Sequence, residues 1–243
     1  MLKKLFMLFK IGRRLSKSGA ISSIYKMYSP PISIKFLFAL IGFSFNKDKE
    51  KKDLSPGSKL CNALQEMGTT FIKLGQFLAT RPDIIGENTA KELEKLQDKL
   101  PPFNLIDAKN ILKEEIGTDN FNKIENLSEP VAAASIAQVH FATIKDSDQN
   151  KKVAIKILRP NIEKIFNEEL DALMLLAYII QGIAKKTRRL KLIEIVQLLR
   201  EITNVEMDLR FEAAAANELY ENTKNDVGFN VPKIYWNQTS KKI

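Results

Sequence analysis

The sequence predicts an α+β fold in which helices come first and a small antiparallel sheet follows. Apolar residues recur at helical spacing over residues 59–79 and 104–116. After residue 119, β-branched and small residues dominate, and residues 151–158 (KKVAIKIL) alternate as a strand does. A hydrophobic fraction of 44% and a charged fraction of 28% are ordinary for a globular protein, so we expect a folded chain.

The charge of the chain points to an anionic partner. The formal net charge is +9 at pH 7, and residues 1–27 carry seven Lys or Arg side chains and no acid. Leu and Phe residues alternate with these cations, which is typical of a basic amphipathic helix on an anionic membrane surface. A solvated, frayed leader is the alternative. Nucleic acid is not expected as a partner, because the cations lack interleaved aromatic residues and no recognition motif is present.

The apolar run over residues 32–45 is too short to cross a membrane. A spanning helix needs about 20 apolar residues, and Lys35 interrupts this run. We expect a buried or interfacial helix here, followed by a linker over residues 46–53. A single Cys and a single His leave no disulfide framework and no Cys/His zinc site, so any catalysis would depend on Lys, Asp and Glu.

Further elements follow from the same patterns. A polar turn at residues 145–150 separates two strands of a hairpin, and Gly117 is a plausible C-cap. Pro101-Pro102 stops one helix and Arg159-Pro160 ends the second strand. A short strand is predicted at residues 231–236. Helices are predicted at residues 59–79, 88–100, 104–116, 162–184 and 192–221, with a basic turn at 185–191.

The tetrapeptide Val153-Ala154-Ile155-Lys156 is the strand motif that carries the phosphate-binding Lys of protein kinases. There a rigid strand fixes the origin of a long, cationic side chain that reaches the α- and β-phosphates of ATP. The alternative is an ordinary strand with one exposed Lys.

An Ala-rich loop precedes that strand, over residues 130–140. Small side chains let backbone N–H groups approach phosphate oxygens closely, and Ala serves in place of Gly where φ stays negative. The alternative is a helix start or a packed strand crossover. The order of small-residue loop, strand, polar turn and Lys strand is that of a kinase small lobe.

Three acidic residues complete this set. A kinase holds its strand Lys with a Glu from a helix, and Glu212 could pair with Lys156 in this way. Glu206 and Asp208 lie two residues apart, so on a helix they would not share one face. For any one of these acids, a solvated surface position is the alternative.

A fourth pattern lies in the first predicted helix. Gly75 inside a helix costs about 1 kcal/mol relative to Ala, which indicates close packing against another element. Lys73 and Gln76 are three residues apart and could face one polar site. The alternative is an ordinary amphipathic helix.

Together these stretches resemble the UbiB family of atypical kinases, also called the ABC1 family. The resemblance covers most of the chain from about residue 60 onward. The stretches that carry it are residues 71–85, 92–103, 130–140, 153–160 and 206–217.

The resemblance implies a kinase-like small lobe that binds ATP and Mg²⁺. Lys156 would contact the ATP phosphates and Glu212 would be its ion-pair partner. The Ala-rich loop that replaces the Gly-rich loop would cover the nucleotide with Ala132, Ala133, Ala134 and Ser135. Lys73, Gly75 and Gln76 match a Lys-x-Gly-Gln motif on a helix that folds over the nucleotide pocket, and Glu206 and Asp208 match the associated Glu-x-Asp motif.

The resemblance also implies a function in ubiquinone (coenzyme Q) biosynthesis. Family members act at the inner membrane, which here would mean its cytoplasmic face, and bacterial ones are often labelled as acting at 2-polyprenylphenol hydroxylation. Quinone-biosynthesis proteins or prenylated quinone precursors would be partners. The alternative is a catalytically silent, membrane-associated scaffold of a quinone-biosynthesis complex.

The expected organisation has three segments: a membrane-proximal segment (1–53), a helical extension (54–118) and an incomplete kinase-like small lobe (119–243). We expect the large lobe to be missing from this chain, because the sequence shows neither a catalytic-loop Asp and Asn nor an Asp-Phe-Gly pattern. The Mg²⁺ ligands are expected there. We therefore expect an atypical kinase or ATPase in the full-length protein and little turnover by this chain alone.

Overall fold

The computed structural model describes residues 2–18, 31–40, 54–97, 100–146 and 149–243. The chain forms two compact units, the first from residues 1–98 and 164–201, the second from residues 99–163 and 202–243. The functional division at residues 53 and 118 stays a prediction.

The elements follow in this order. Before the sheet come α1 (Leu2–Lys17), α2 (Ile32–Leu40), α3 (Pro56–Met67), α4 (Thr69–Ala79), α5 (Pro82–Ile85), α6 (Glu87–Leu93) and α7 (Leu105–Phe121). The strands are β1 (Ile124–Glu125), β2 (Pro130–Ala133), β3 (Ala137–Asp146) and β4 (Gln149–Leu158). After them come α8 (Ile162–Ile183), a 3₁₀ helix (Lys185–Leu190), α9 (Leu192–Glu206), α10 (Leu209–Thr223) and a 3₁₀ turn (Trp236–Gln238).

The first unit is a helical assembly around one apolar core. Helices α1, α3, α4 and α6 contribute to it, and α8 adds Ala172. From α1, Leu8 and Ile11 are buried in this core. Residues 19–30 and 41–53, which include part of the predicted membrane-proximal segment and its linker, lie outside the described residues. In the described part of the chain, no helix combines the length and apolar character that a membrane crossing requires.

The predicted helix over residues 59–79 is in fact two helices. Gly68 ends α3 and precedes α4 with φ +98° and ψ −165°, a conformation that favours Gly and breaks the helical hydrogen-bond ladder. At its start, α3 is capped by the Ser55 side chain, which accepts a hydrogen bond from the backbone N–H of Ser58. Apolar spacing alone did not reveal the break, because a single residue hardly disturbs the helical period.

The predicted helix over residues 88–100 is also wrong in its extent, since α6 ends at Leu93. Just beyond it, the Gln65 side chain accepts a hydrogen bond from the backbone N–H of Gln97 at 3.2 Å and donates one to its carbonyl at 3.0 Å. A side chain from α3 thus takes up both backbone groups of Gln97. By contrast, the predicted stop at Gly117 is confirmed: its φ of +77° interrupts α7 before a final short turn.

The second unit is built on an antiparallel sheet of four strands. Its central strand is β3, which pairs with β4 along its whole length and with β1 and β2 on its other edge. One sheet face packs on α7 through a small core that includes Ala142, Ile155 and Ile157. The predicted hairpin of β3 and β4 is confirmed, and the tip of its turn, residues 147–148, lies outside the described residues.

Two further expectations near the end of the chain are wrong. The predicted helix over residues 192–221 divides into α9 and α10 at Met207, because the Asp208 side chain accepts a hydrogen bond from the backbone N–H of Arg210 and caps a new helix. Residues 231–236 form no strand in the described structure. Pro232 lacks the N–H that a strand ladder needs, and the segment lines a cavity instead.

Candidate functional site

Lys156 and Glu212 form an ion pair within the second unit. The Lys156 Nζ lies 2.5 Å from the Glu212 Oε2. Lys156 projects from β4, where its Cα is paired with that of Val139 on β3, and Glu212 lies in the first turn of α10. The pairing predicted from the motif order is therefore present in the structure, and its role toward ATP stays a prediction.

The ion pair contributes little to the stability of the fold. The Lys156 side chain is 36% exposed and that of Glu212 is 62% exposed. Exposed pairs of this kind contribute about 0–1 kcal/mol, because water screens them and two long side chains lose freedom. What the pair does is orient an ammonium group over an accessible sheet face.

That sheet face is opposite the one that packs on α7. Directly paired residues of antiparallel strands share a face, so Val139 and Phe141 of β3 lie beside Lys156 and Ala154 of β4. Phe141 and Ala154 are exposed, while Val139 and Lys156 are half-buried. The face thus combines apolar surface with two Lys side chains, Lys152 and Lys156, of which Lys156 is held by Glu212.

A cavity of about 240 Å³ adjoins the ion pair. Lys156 and Glu212 both line it, together with residues of α7, of β4 and of the segment after Pro232, which includes Tyr235 and Ile243. The volume is somewhat below the roughly 300–1,000 Å³ of typical small-molecule sites. Its lining includes Leu112, Ile144 and Ile155 from the side of the sheet that packs on α7, and Val139 and Phe141 do not line it, so it is distinct from the accessible face described above.

The last residues of the chain are anchored beside these elements. The Glu115 carboxylate of α7 accepts a hydrogen bond from the Ser240 hydroxyl at 2.8 Å and lies 2.7 Å from the Lys242 ammonium. Burial alone would raise the pKa of Glu115, but the bonds from Lys242 and Ser240 outweigh it and hold that pKa below its ordinary value. The backbone carbonyl of Lys242 accepts from Leu158 at the end of β4.

The Ala-rich stretch is a tight hairpin rather than the loop that was predicted. Ala132 and Ala133 belong to β2 and are paired with Val139 and Gln138 of β3. The turn between the strands is closed by a hydrogen bond from the backbone N–H of Ala134 to the Ala137 carbonyl at 2.8 Å. Backbone groups need partners, and pairing with β3 supplies them. Binding of phosphate here stays a prediction.

The backbone of this hairpin is compatible with Ala in place of Gly. Within the described residues, positive φ at non-Gly positions occurs at Asn126, Asn161 and Lys191, outside the turn. Ala132 is exposed, Ala133 and Ala134 are half-buried, and Ser135 is fully buried. The φ angles of these Ala residues are thus not positive, as expected, and their role in place of Gly toward phosphate stays a prediction.

Asp208 stabilises the start of α10. Besides capping the helix, its carboxylate binds the Arg210 guanidinium through both oxygens, at 2.9 and 2.7 Å. The hydrogen bond from Arg210 holds the pKa of Asp208 below its ordinary range. Glu206 is half-buried at the end of α9, so the two acids lie on either side of a helix break and not on one helix.

Gly75 is packed as closely as the sequence predicted. A Cβ added to Gly75 would lie 2.2 Å from the Leu96 Cδ1 and 2.9 Å from the Leu64 Cδ1. Lys73 and Gln76 are half-buried on the same helix, α4. They belong to the first unit, and their predicted place near the nucleotide stays a prediction.

The residues present suit the phosphate end of a nucleotide. A strand Lys oriented by a Glu, next to a small-residue hairpin, is the arrangement that kinases use for ATP phosphates. Within the part of the chain that the structure describes, His, Cys, Asp and Glu form no group of three or more that could hold a metal ion. Binding of Mg²⁺ by residues beyond this site stays a prediction.

Sequence reasoning missed several residues that shape the site. Arg159 and Gln138 bind backbone groups of distant segments, and Glu115 binds the side chains of Ser240 and Lys242. Only Arg159 gave a signal, as a cation directly after the Lys strand. Their partners are distant in sequence, so no local pattern could identify the contacts.

The fold and this site together define the small lobe of a kinase-like protein. The sequence profile of the ABC1 atypical kinase-like domain matches residues 95–243, which is more than half of the chain. The chain belongs to this family.

Similar proteins support this assignment. The chain is 36% identical over 191 residues to the "Probable protein kinase UbiB" of Marinobacter nauticus, covering 78% of this chain and 34% of that protein. It is 36% identical over 200 residues to the protein of the same name in Pseudomonas paraeruginosa (80% and 36%) and over 184 residues to that of Azotobacter vinelandii (74% and 33%). The chain spans about a third of the length of these relatives.

Proposed function

We propose that the full-length protein binds MgATP through Lys156 and acts as an atypical kinase or ATPase. The observation that carries this proposal is the ion pair between Lys156 and Glu212 over an accessible sheet face. Because the pair contributes little to stability, orientation of the ammonium group toward a phosphate is the best account of it.

The neighbouring residues fit the rest of a nucleotide. Val139 and Ala154 offer apolar surface on which a flat purine ring could pack, and Lys156 lies directly opposite Val139. The Ala132–Ser135 backbone would lie over the phosphates. The Lys holds and orients the phosphates, while the Mg²⁺ ion, when bound, would neutralise their developing charge.

The cellular process that we propose is ubiquinone biosynthesis. Support comes from membership of the family whose bacterial relatives carry the name UbiB. Phosphoryl transfer or ATP hydrolysis would serve that pathway at the cytoplasmic face of the inner membrane, at or near 2-polyprenylphenol hydroxylation. Quinone-biosynthesis proteins or prenylated quinone precursors would be its partners.

Nucleotide-dependent thermal stabilisation of the full-length protein tests the first part of the proposal. MgADP and MgATP should raise the melting temperature, and Lys156→Ala should remove most of that rise. The proposal fails if neither nucleotide stabilises the wild type, or if Lys156→Ala responds as the wild type does.

We also propose that α1 docks on an anionic membrane surface. Helix α1 has two apolar faces: Leu8 and Ile11 point into the core, whereas Phe6 and Phe9 are 72% and 46% exposed. The exposed cations that flank this second face on the helix are Lys10, Arg13 and Lys17. A second copy of the helix would bring like charges together, while an anionic bilayer would complement them.

Flotation with liposomes tests the docking of α1. The full-length double variant Phe6→Ser/Phe9→Ser should lose most of the binding to anionic vesicles. Any binding that remains would come from other parts of the protein. Phe229→Ser, which removes an aromatic residue of similar exposure (62%) from another surface, is the matched control. Equal binding of the double variant and the control would contradict the proposal, as would binding that does not depend on anionic lipid.

A further inference from the structure

We propose that Arg159 is a positioning residue that fixes the Ala-rich turn, residues 134–136, for contact with nucleotide phosphates. The inference rests on the proposed nucleotide function and concerns a residue outside the Lys156–Glu212 pair. Arg159 directly follows β4, so it lies at the end of the strand that carries Lys156.

The Arg159 side chain is bonded to the turn and to a second segment at once. Its Nη2 and Nε donate to the Ala134 carbonyl at 2.8 and 3.1 Å. Its Nη1 donates to the Pro101 carbonyl at 2.9 Å, and Nη2 also donates to the Leu100 carbonyl at 3.3 Å. The Arg159 backbone N–H donates to the Ile136 carbonyl at 2.9 Å, so both ends of the turn are held.

A second side chain ties the same segment to the hairpin. Gln138 is fully buried; its Oε1 accepts from the Phe103 N–H at 3.0 Å and its Nε2 donates to the Phe103 carbonyl at 3.2 Å. The Gln138 Nε2 also lies 2.9 Å from the His140 Nε2, and the His140 Nδ1 lies 2.8 Å from the Ser128 carbonyl. One neutral tautomer, with the proton on Nδ1, satisfies both contacts. Residues 100–103 thus form a fixed support for the turn.

The chemistry of Arg explains why this position suits it. A planar guanidinium presents several N–H donors in fixed directions and can bind carbonyls of two segments simultaneously, whereas a Lys ammonium is a compact point charge. A turn that receives phosphates must hold its backbone in one conformation to orient N–H groups toward them.

The distance between Lys156 and the turn along the sheet suits contact with one nucleotide. Ala137, at the end of the turn, is paired with Leu158, two residues beyond Lys156. At about 3.3 Å per residue, the turn begins roughly 7 Å along the strand from Lys156. Two neighbouring phosphates of one nucleotide could therefore contact the Lys and the turn at Ala134, which is half-buried, whereas Ser135 and Ile136 are buried.

The test uses Arg159→Lys in the full-length protein, because this change keeps the charge and removes the fork. Two quantities are measured: the dissociation constants for MgADP and adenosine, and hydrogen exchange of the amides in the turn without nucleotide. We expect MgADP binding to weaken about tenfold, the effect of losing a charge-assisted hydrogen bond, with adenosine binding unchanged. Exchange of the turn amides should become faster.

Arg81→Lys is the matched control, since Arg81 also makes a bidentate contact, to Asp83 on the surface of the first unit. It should bind both ligands as the wild type does. If the wild type binds no nucleotide, the proposed function fails. Turn exchange equal to that of the wild type in Arg159→Lys overturns the inference about Arg159, and so does an equal loss of MgADP and adenosine binding.

Discussion

Lys156 of β4 and Glu212 of α10 are 56 residues apart in the chain, yet their side chains meet at 2.5 Å. Helices α8 and α9 lie between them in sequence. The pair joins a strand to a helix on the accessible face of the sheet, and its exposure means that the fold does not depend on it. This contact is the basis of the proposed nucleotide site.

Removal of either partner should change nucleotide binding much more than stability. We expect Lys156→Ala and Glu212→Ala to alter the free energy of unfolding by at most about 1 kcal/mol, since the pair is exposed. Denaturant unfolding without nucleotide measures this. Lys224→Ala is the control, because Lys224, directly after α10, forms a comparably exposed pair with Glu221 of that helix at 2.8 Å. A loss of several kcal/mol for Lys156→Ala alone would show that the pair is structural.

Gly75→Ala should destabilise the first unit. The new Cβ would lie 2.2 Å from the Leu96 Cδ1, so Leu96 and Leu64 must move, and overpacking of this kind costs about 1–3 kcal/mol. Thermal unfolding measures the loss. Gly182→Ala is the control: nothing lies within 4 Å of a Cβ there, so the better helix propensity of Ala should stabilise α8 by up to about 1 kcal/mol. A neutral Gly75→Ala would contradict the close packing.

Ionisation of Glu169 should lower the free energy of unfolding as the pH rises. Burial raises its pKa above the ordinary value of 4.5, and the positive charges of Arg14 and Lys10 offset this only in part. A raised pKa in the folded state means that its contribution is complete below pH 4.5 and is lost as the pH rises through the folded value. Glu169→Gln keeps nearly the same shape and cannot ionise. Its stability relative to the wild type should therefore increase from pH 4 toward neutral pH.

The neighbouring residue provides a control of opposite sign. The Glu168 carboxylate accepts a hydrogen bond from Lys3 at 2.6 Å, and this bond holds the pKa of Glu168 below its ordinary value. Its contribution is present above the unfolded value and is lost at acid pH. In pH-dependent unfolding, Glu168→Gln should thus show the opposite trend. The same trend in both variants would exclude burial of Glu169 as the cause.

Asp208 should matter for helix α10 through its cap. Asp208→Ala removes the acceptor for the Arg210 backbone N–H and should cost about 1 kcal/mol of stability. Asp208→Asn keeps a capping oxygen and should lose clearly less. Chemical denaturation of both variants separates these effects. If Asp208→Asn and Asp208→Ala lower the free energy of unfolding equally, the ion pair with Arg210 stabilises the fold and the cap does not.

Local patterns identified much of the candidate site. The alternation in β4, the Lys156 motif and the close packing at Gly75 each depend on neighbouring residues or on a single residue type, so the sequence expresses them directly. The same holds for Gly117, where a positive φ stops the helix.

Other features depend on contacts between distant residues. The helix break at Gly68 leaves the helical spacing of the apolar residues intact. After α6, the backbone N–H of Gln97 is bound by the side chain of Gln65, which belongs to another helix, α3. Arg159 reaches Pro101, 58 residues away. Residues 231–236 read as a strand by composition, but whether a segment pairs depends on a partner edge that composition does not describe.

The most direct measurement is the ratio of the dissociation constants for adenosine and MgADP in the full-length protein. We predict that Lys156→Ala weakens MgADP binding at least about tenfold and leaves adenosine binding unchanged, because in the proposed site the Lys would contact only phosphate. MgADP affinity in Lys156→Ala equal to that of the wild type would contradict it.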